Sequence, residues 1–130
     1  MAFIHVYNYS YAPVPGSAVS GSVSLTADSE TSVDEAIAVA NDQLINIAID
    51  VSEIQGFIIK SDKDCEVYTN DTSGGSPDDN ISLTANVPVI FFDGGPLANP
   101  FASNVDVTKI YVDSAAVGTL QIRVLQDPTP

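Results

Sequence analysis

One cysteine, one histidine and four basic side chains are all that this chain of 130 residues offers of the groups that most often carry chemistry. Cys65 has no partner for an intrachain disulfide, and a zinc site built from several cysteines is excluded with it. With no neighbouring cation to lower its pKa, the expected role of Cys65 is a buried structural thiol. A Ser-His-Asp or Cys-His catalytic device would have to use His5, near the chain start, and an ordinary strand residue is the expectation there. Lys60, Lys63, Lys109 and Arg123 stand against 17 acidic residues, for a formal net charge of -13. Four scattered cations cannot supply the counterion release that drives nucleic-acid binding, and the same deficit excludes anionic membrane surfaces. A solvated surface, a basic protein partner or divalent cations remain, the first being the default.

Longer signals are missing as well. No apolar stretch approaches membrane-spanning length, and the opening MAFIHVYNYS lacks the basic region and apolar run of a signal peptide. The expectation is a protein made and kept in a cytoplasm, or packaged from one, so the sequons at Asn8, Asn70 and Asn80 carry no weight. Neither a Walker loop nor a dinucleotide fingerprint occurs, and no repeat of fixed period argues for a solenoid or propeller.

What is present is period-two alternation. In residues 17–27, Val19, Gly21, Val23, Leu25 and Ala27 share one face and serines or threonine the other, a half-buried strand. Residues 2–11 are rich in β-formers and end at Pro13, Pro15 and Gly16, so 1–16 reads as an N-terminal strand or arm. Residues 32–40 offer a capping box at Ser32 and Glu35 but also alternate at Ile37 and Val39; strand is preferred to helix. Ile45, Ile47, Ile49 and Val51 give the clearest strand, expected to be central. IQGFIIKS (54–61) and CEVYTN (65–70), split by Asp62-Lys63-Asp64, suggest a tight hairpin. Residues 80–85, 87–92, 105–114 and 119–126 complete eight or nine strands. This punctuation predicts one all-β domain over 1–130, a β-sandwich of jelly-roll type. The tail Asp127-Pro-Thr-Pro130 lacks two amide donors and leaves the ladder.

No cofactor is expected. Paired carboxylates are abundant, which leaves a glycosidase formally open but nominates no particular pair. Asp62, Asp64 and Glu66 on one strand face, and Asp71, Asp78 and Asp79 in the next loop, could supply oxygens to Ca²⁺, but the calcium-loop pattern is not met. Solvated turn carboxylates are the preferred reading. Tyr7, Tyr9 and Tyr11 recur on one strand face and suit either a carbohydrate-stacking platform or a packing surface against another subunit, the latter preferred.

From residue 47 onward the pattern "I-x-S-D…T-N…S-P-D-D-x-I-x-L", then "N-P-F…D-V-T-x-x-Y-V" and a terminal "D-x-T-P", resembles small β-sandwich proteins encoded among tailed-bacteriophage virion genes. The resemblance covers roughly the last two-thirds of the chain, residues 47–130; the first third does not share it. It implies a capsid decoration or cement protein: a non-enzymatic homo-oligomer, a trimer by preference, on the capsid exterior where major capsid protein subunits meet. On that view the contact elements are Tyr7, Tyr9 and Tyr11 together with the Pro128 and Pro130 tail. A tail or baseplate structural protein is the nearest variant, and a carbohydrate-binding β-sandwich using the tyrosines is the alternative from another class. The matched segments read as fold determinants: Asn70, Pro77, Asp78 and Asp79 set a turn, and Asn99-Pro100-Phe101 closes a loop with an inserted aromatic.

Overall fold

Branched apolar residues at alternate positions become strands with one buried face throughout the chain. The computed structural model describes residues 2–127. Its strands are β1 (Phe3–Tyr11), β2 (Val19–Ala27), β3 (Ser29–Ile37), β4 (Ala40–Ile49), β5 (Ile54–Ser61), β6 (Cys65–Thr69), β7 (Asn80–Leu83), β8 (Val89–Phe92), β9 (Val107–Ser114) and β10 (Gly118–Gln126). Ten strands thus replace the eight or nine expected, and the ambiguous segment 32–40 is strand as far as Ile37, the end of β3, with Ala40 already the start of β4.

Strands β3 to β10 form two antiparallel four-stranded sheets, ordered β3-β10-β5-β8 and β4-β9-β6-β7. Counting from β3, the first sheet takes the first, eighth, third and sixth strands and the second takes the second, seventh, fourth and fifth. That is the strand order of a jelly roll, as the sequence predicts. Between the sheets lies one contiguous core, with Ile45, Ile47 and Ile49 of β4 facing Phe57, Ile59, Leu120, Ile122 and Val124 of the other sheet. Phe101 reaches in from its loop and meets Phe57 edge-on at 5.0 Å, and its backbone amide donates to Asn99 Oδ1 at 2.9 Å.

Two expectations change. β4 is an edge strand, not a central one: alternation reports one buried face and says nothing about how many neighbours hydrogen-bond to the strand. Asn41 and Asp42 lie in a bulge within β4, with Asp42 at φ 61° and the register shifting between Ala40 and Gln43. Strands β5 and β6 do not form a hairpin but belong to opposite sheets. Asp62-Lys63-Asp64 is the crossover, pinned at both ends: Asp62 Oδ1 accepts from the Thr119 amide of β10 and Asp64 Oδ1 from the Ala85 amide beyond β7, each at 2.7 Å.

Strands β1 and β2 stay outside both sheets, as a two-stranded hairpin.

Candidate functional site

The hairpin register runs unbroken from Phe3↔Ala27 to Tyr11↔Val19. Its half nearest β3 packs on the outer face of the β3-β10-β5-β8 sheet. Across that face, Glu30, Leu125, Gly56 and Phe92 form one row. Leu125 points away from the central core yet is wholly buried, because the hairpin covers it. Gly56 makes the close approach feasible: a Cβ there would lie 3.0 Å from both Leu25 Cδ1 and the Tyr7 hydroxyl. The Tyr7 ring packs on Phe92 with centroids 5.5 Å apart. Its hydroxyl is buried without a well-aligned partner, and burial pushes its pKa up, partly offset by the nearby Phe57 backbone. At the row's end, His5 Nε2 lies 2.7 Å from Glu30 Oε2. The hydrogen bonds from His5 and Ser32 hold the Glu30 carboxyl below its ordinary range.

Beyond Tyr7 the hairpin leaves this support. Tyr9 and Tyr11 are 54% and 68% exposed and Val14, in the connecting loop, 95%. Tyr9 lies across its cross-strand partner Gly21, where any side chain would collide with the ring. Ile4 and Val6 point outward from the other face of β1. Among the described residues, six of the twelve exposed large apolar side chains fall between Ile4 and Val19. No charged residue occurs from Val6 to Ala27, in a chain where 17 of 130 residues are acidic.

The hairpin also differs from every other sheet edge. β3 carries Glu30, Asp34 and Glu35; β7 and β8 are four residues long, and Pro88 precedes β8; β4 is broken by two register shifts. Charge, shortness, proline and bulges are the devices that keep an edge from pairing with another chain. β1 has nine residues, a continuous register and none of these, and its single ionisable group besides tyrosines, His5, turns inward to Glu30. Beside its free edge lies a cleft of about 340 Å³ lined by His5, Val6, Tyr7, Glu30, Ile58 and Arg123. Arg123 is held by both carboxylate oxygens of Asp34, each at 3.0 Å.

The three tyrosines singled out from the sequence therefore divide. Tyr7 is a packing residue between hairpin and sheet, and Tyr9 and Tyr11 are surface, so no continuous three-ring platform exists. Pro128 and Pro130 lie outside the described residues. The acidic clusters divide too. Asp62 and Asp64 hold the crossover, while Glu66 accepts from Asn80 Nδ2 and Ser82 Oγ. Asp71 accepts from the Thr72 and Ser76 amides, which hold its pKa down; Asp78 takes Asn70 Nδ2 and Asp79 takes Ser103 Oγ. Among the described residues no three His, Cys, Asp or Glu side chains converge as metal ligands. Cys65 is buried, which raises its pKa. No helix among these residues is long and apolar enough to cross a membrane.

Comparison with protein-family models, with curated proteins and with solved structures found no match to this chain. The candidate site thus rests on the geometry above. Its main signal, the uncharged run from Val6 to Ala27, stands in the sequence. Strand-by-strand reading passes over it, because it becomes meaningful only once β1 and β2 are seen to pair with each other alone.

Proposed function

We propose that this chain is a structural protein of a tailed-phage virion, decorating the capsid exterior and bridging major capsid protein subunits with its β1–β2 hairpin. One observation carries the reading: a nine-residue edge strand that is uncharged on its exposed surface, unprotected, and continuous with exposed Tyr9, Tyr11, Val14 and Val19. Isolated two-stranded hairpins are marginal in water, so a projecting apolar one gains its order from a partner. Strand addition supplies main-chain hydrogen bonds, and tyrosines supply buried area with a wet hydroxyl, the chemistry of a permanent protein contact. The pattern in residues 47–130 supports the virion placement, and jelly rolls recur in capsid domains, although a fold alone assigns no function. The net charge of -13 suits a surface facing solvent and not packaged DNA.

The test is cosedimentation with shells assembled from the major capsid protein of the same phage. The chain is expected to pellet with the shells, and a Tyr9→Ser/Tyr11→Ser double variant to remain in the supernatant. A wild-type chain that stays soluble overturns the reading. Mass spectrometry of separated heads and tails distinguishes a capsid position from a tail or baseplate one.

A further inference from the structure

We infer that the free edge of β1 pairs with β1 of a second copy of this chain, joining two hairpins into one four-stranded antiparallel layer. The inference rests on the reading of the hairpin as the assembly element and names its first partner.

The argument is electrostatic. In a two-fold contact the same patch is presented by both subunits, so any carboxylate on it meets a carboxylate of the partner. A chain with 17 acidic and four basic residues can satisfy that constraint only where it has removed its charge. The hairpin is where it has done so, from Val6 to Ala27. A contact built for a basic partner has the opposite requirement: its acidic residues would be kept and matched. The hairpin keeps none, while β3, the edge strand that follows it, carries Glu30, Asp34 and Glu35.

Between the two hairpin edges, β1 is the better donor. Its sequence FIHVYNYSY is rich in aromatic and branched residues, whereas β2, VSGSVSLTA, is weakened by Gly21 and its serines. Pairing through β1 places Ile4, Val6, Asn8 and Ser10 of the two copies on one common face, so Ile4 and Val6, now 65% and 51% exposed, gain apolar neighbours. It consumes the unprotected edge in both copies, so the shell contact of the proposed function falls to β2 and the exposed rings of Tyr9 and Tyr11. The assembly closes as a pair, in place of the trimer that the phage resemblance implies.

A charge exchange tests this. Ile4→Glu/Val6→Glu/Asn8→Glu puts like charges across the seam in any antiparallel register centred between Ile4 and Asn8, and Ile4→Lys/Val6→Lys/Asn8→Lys does the same with the opposite sign. By sedimentation velocity, the wild type is expected as a dimer and each variant alone as a monomer, with self-association weakened by about tenfold or more. An equimolar mixture of the two variants is expected to re-form a dimer, which a merely misfolded hairpin could not do. A wild type that stays monomeric, variants that remain dimeric, or a mixture that stays monomeric each overturns the inference. Shell cosedimentation of the same samples separates the two claims. A monomeric wild type that pellets with shells keeps the proposed function and removes the second copy; a dimer that ignores shells keeps the pair and removes the virion role.

Discussion

The jelly roll and the hairpin solve the problem of exposed strands in opposite ways. In the roll, each edge is short, bulged or charged, and the acidic side chains are put to use. Asp62 and Asp64 pin the crossover, and Asn70, at φ 65°, donates to Asp78 Oδ2 at 2.7 Å and accepts from the Thr108 amide at 2.9 Å. In the hairpin there is no charge from Val6 onward, the edge is long, and aromatic rings stand in solvent. A body whose surface discourages association carries one element whose surface invites it. The division teaches that the acidity of the whole chain says little about its contact surface, since the contact surface is the part left out of it.

The comparison implies a one-way dependence, the hairpin resting on the roll, and the largest effect should come from the roll. Phe57 is 1% exposed and packs against Phe101, so Phe57→Ala should cost about 3–5 kcal/mol and unfold roll and hairpin together in urea. Separate transitions would mean that the hairpin does not depend on its sheet. Gly56→Val attacks only the junction, because its side chain must displace Leu25 and Tyr7. The expected cost is about 1–3 kcal/mol. Amide exchange should accelerate over residues 3–27 with little change in β4, β6 and β9; uniform acceleration would break the distinction between the two regions.

Much of this was legible in the sequence. Alternation at Ile45, Ile47, Ile49 and in residues 119–126 gave the strands and their buried faces, and turn residues such as Asn70 and Pro77 gave the breaks. Sheet membership was not legible: the three residues after Ser61 are compatible with a hairpin or a crossover, and only Thr119 and Ala85, far along the chain, decide it. The tyrosines were found but not their division, because Tyr7 differs from Tyr9 only in what lies beneath it. Gly56 and Phe92, on two other strands, turn Tyr7 into a packing residue.

A smaller effect tests the junction of hairpin and roll through the contact between His5 and Glu30. The docked hairpin, through His5, and Ser32 together depress the Glu30 pKa, so docking is favoured while Glu30 is ionised. That contribution is fully present above the ordinary carboxylate range and is lost as pH falls through the lowered pKa of Glu30. The half-buried bond should be worth about 1 kcal/mol. Exchange protection in β1 should therefore weaken in acid before the roll unfolds, and Glu30→Gln should remove the acid sensitivity. An unchanged pH profile in that variant would assign the sensitivity to another group.

The smallest effect on stability should come from the most exposed ring. Tyr11 ends β1 with 68% of its surface in water. Tyr11→Ser should move the unfolding midpoint by no more than the equivalent of about 0.5 kcal/mol, as substitutions away from packed features do. Yet if the hairpin is a contact element, the same change should weaken shell binding measurably, since aromatic residues dominate the energy of such interfaces. The two measurements must part company at this residue. A variant that loses stability and binding in proportion would make Tyr11 a part of the fold, and the line between body and hairpin would have to be drawn farther out.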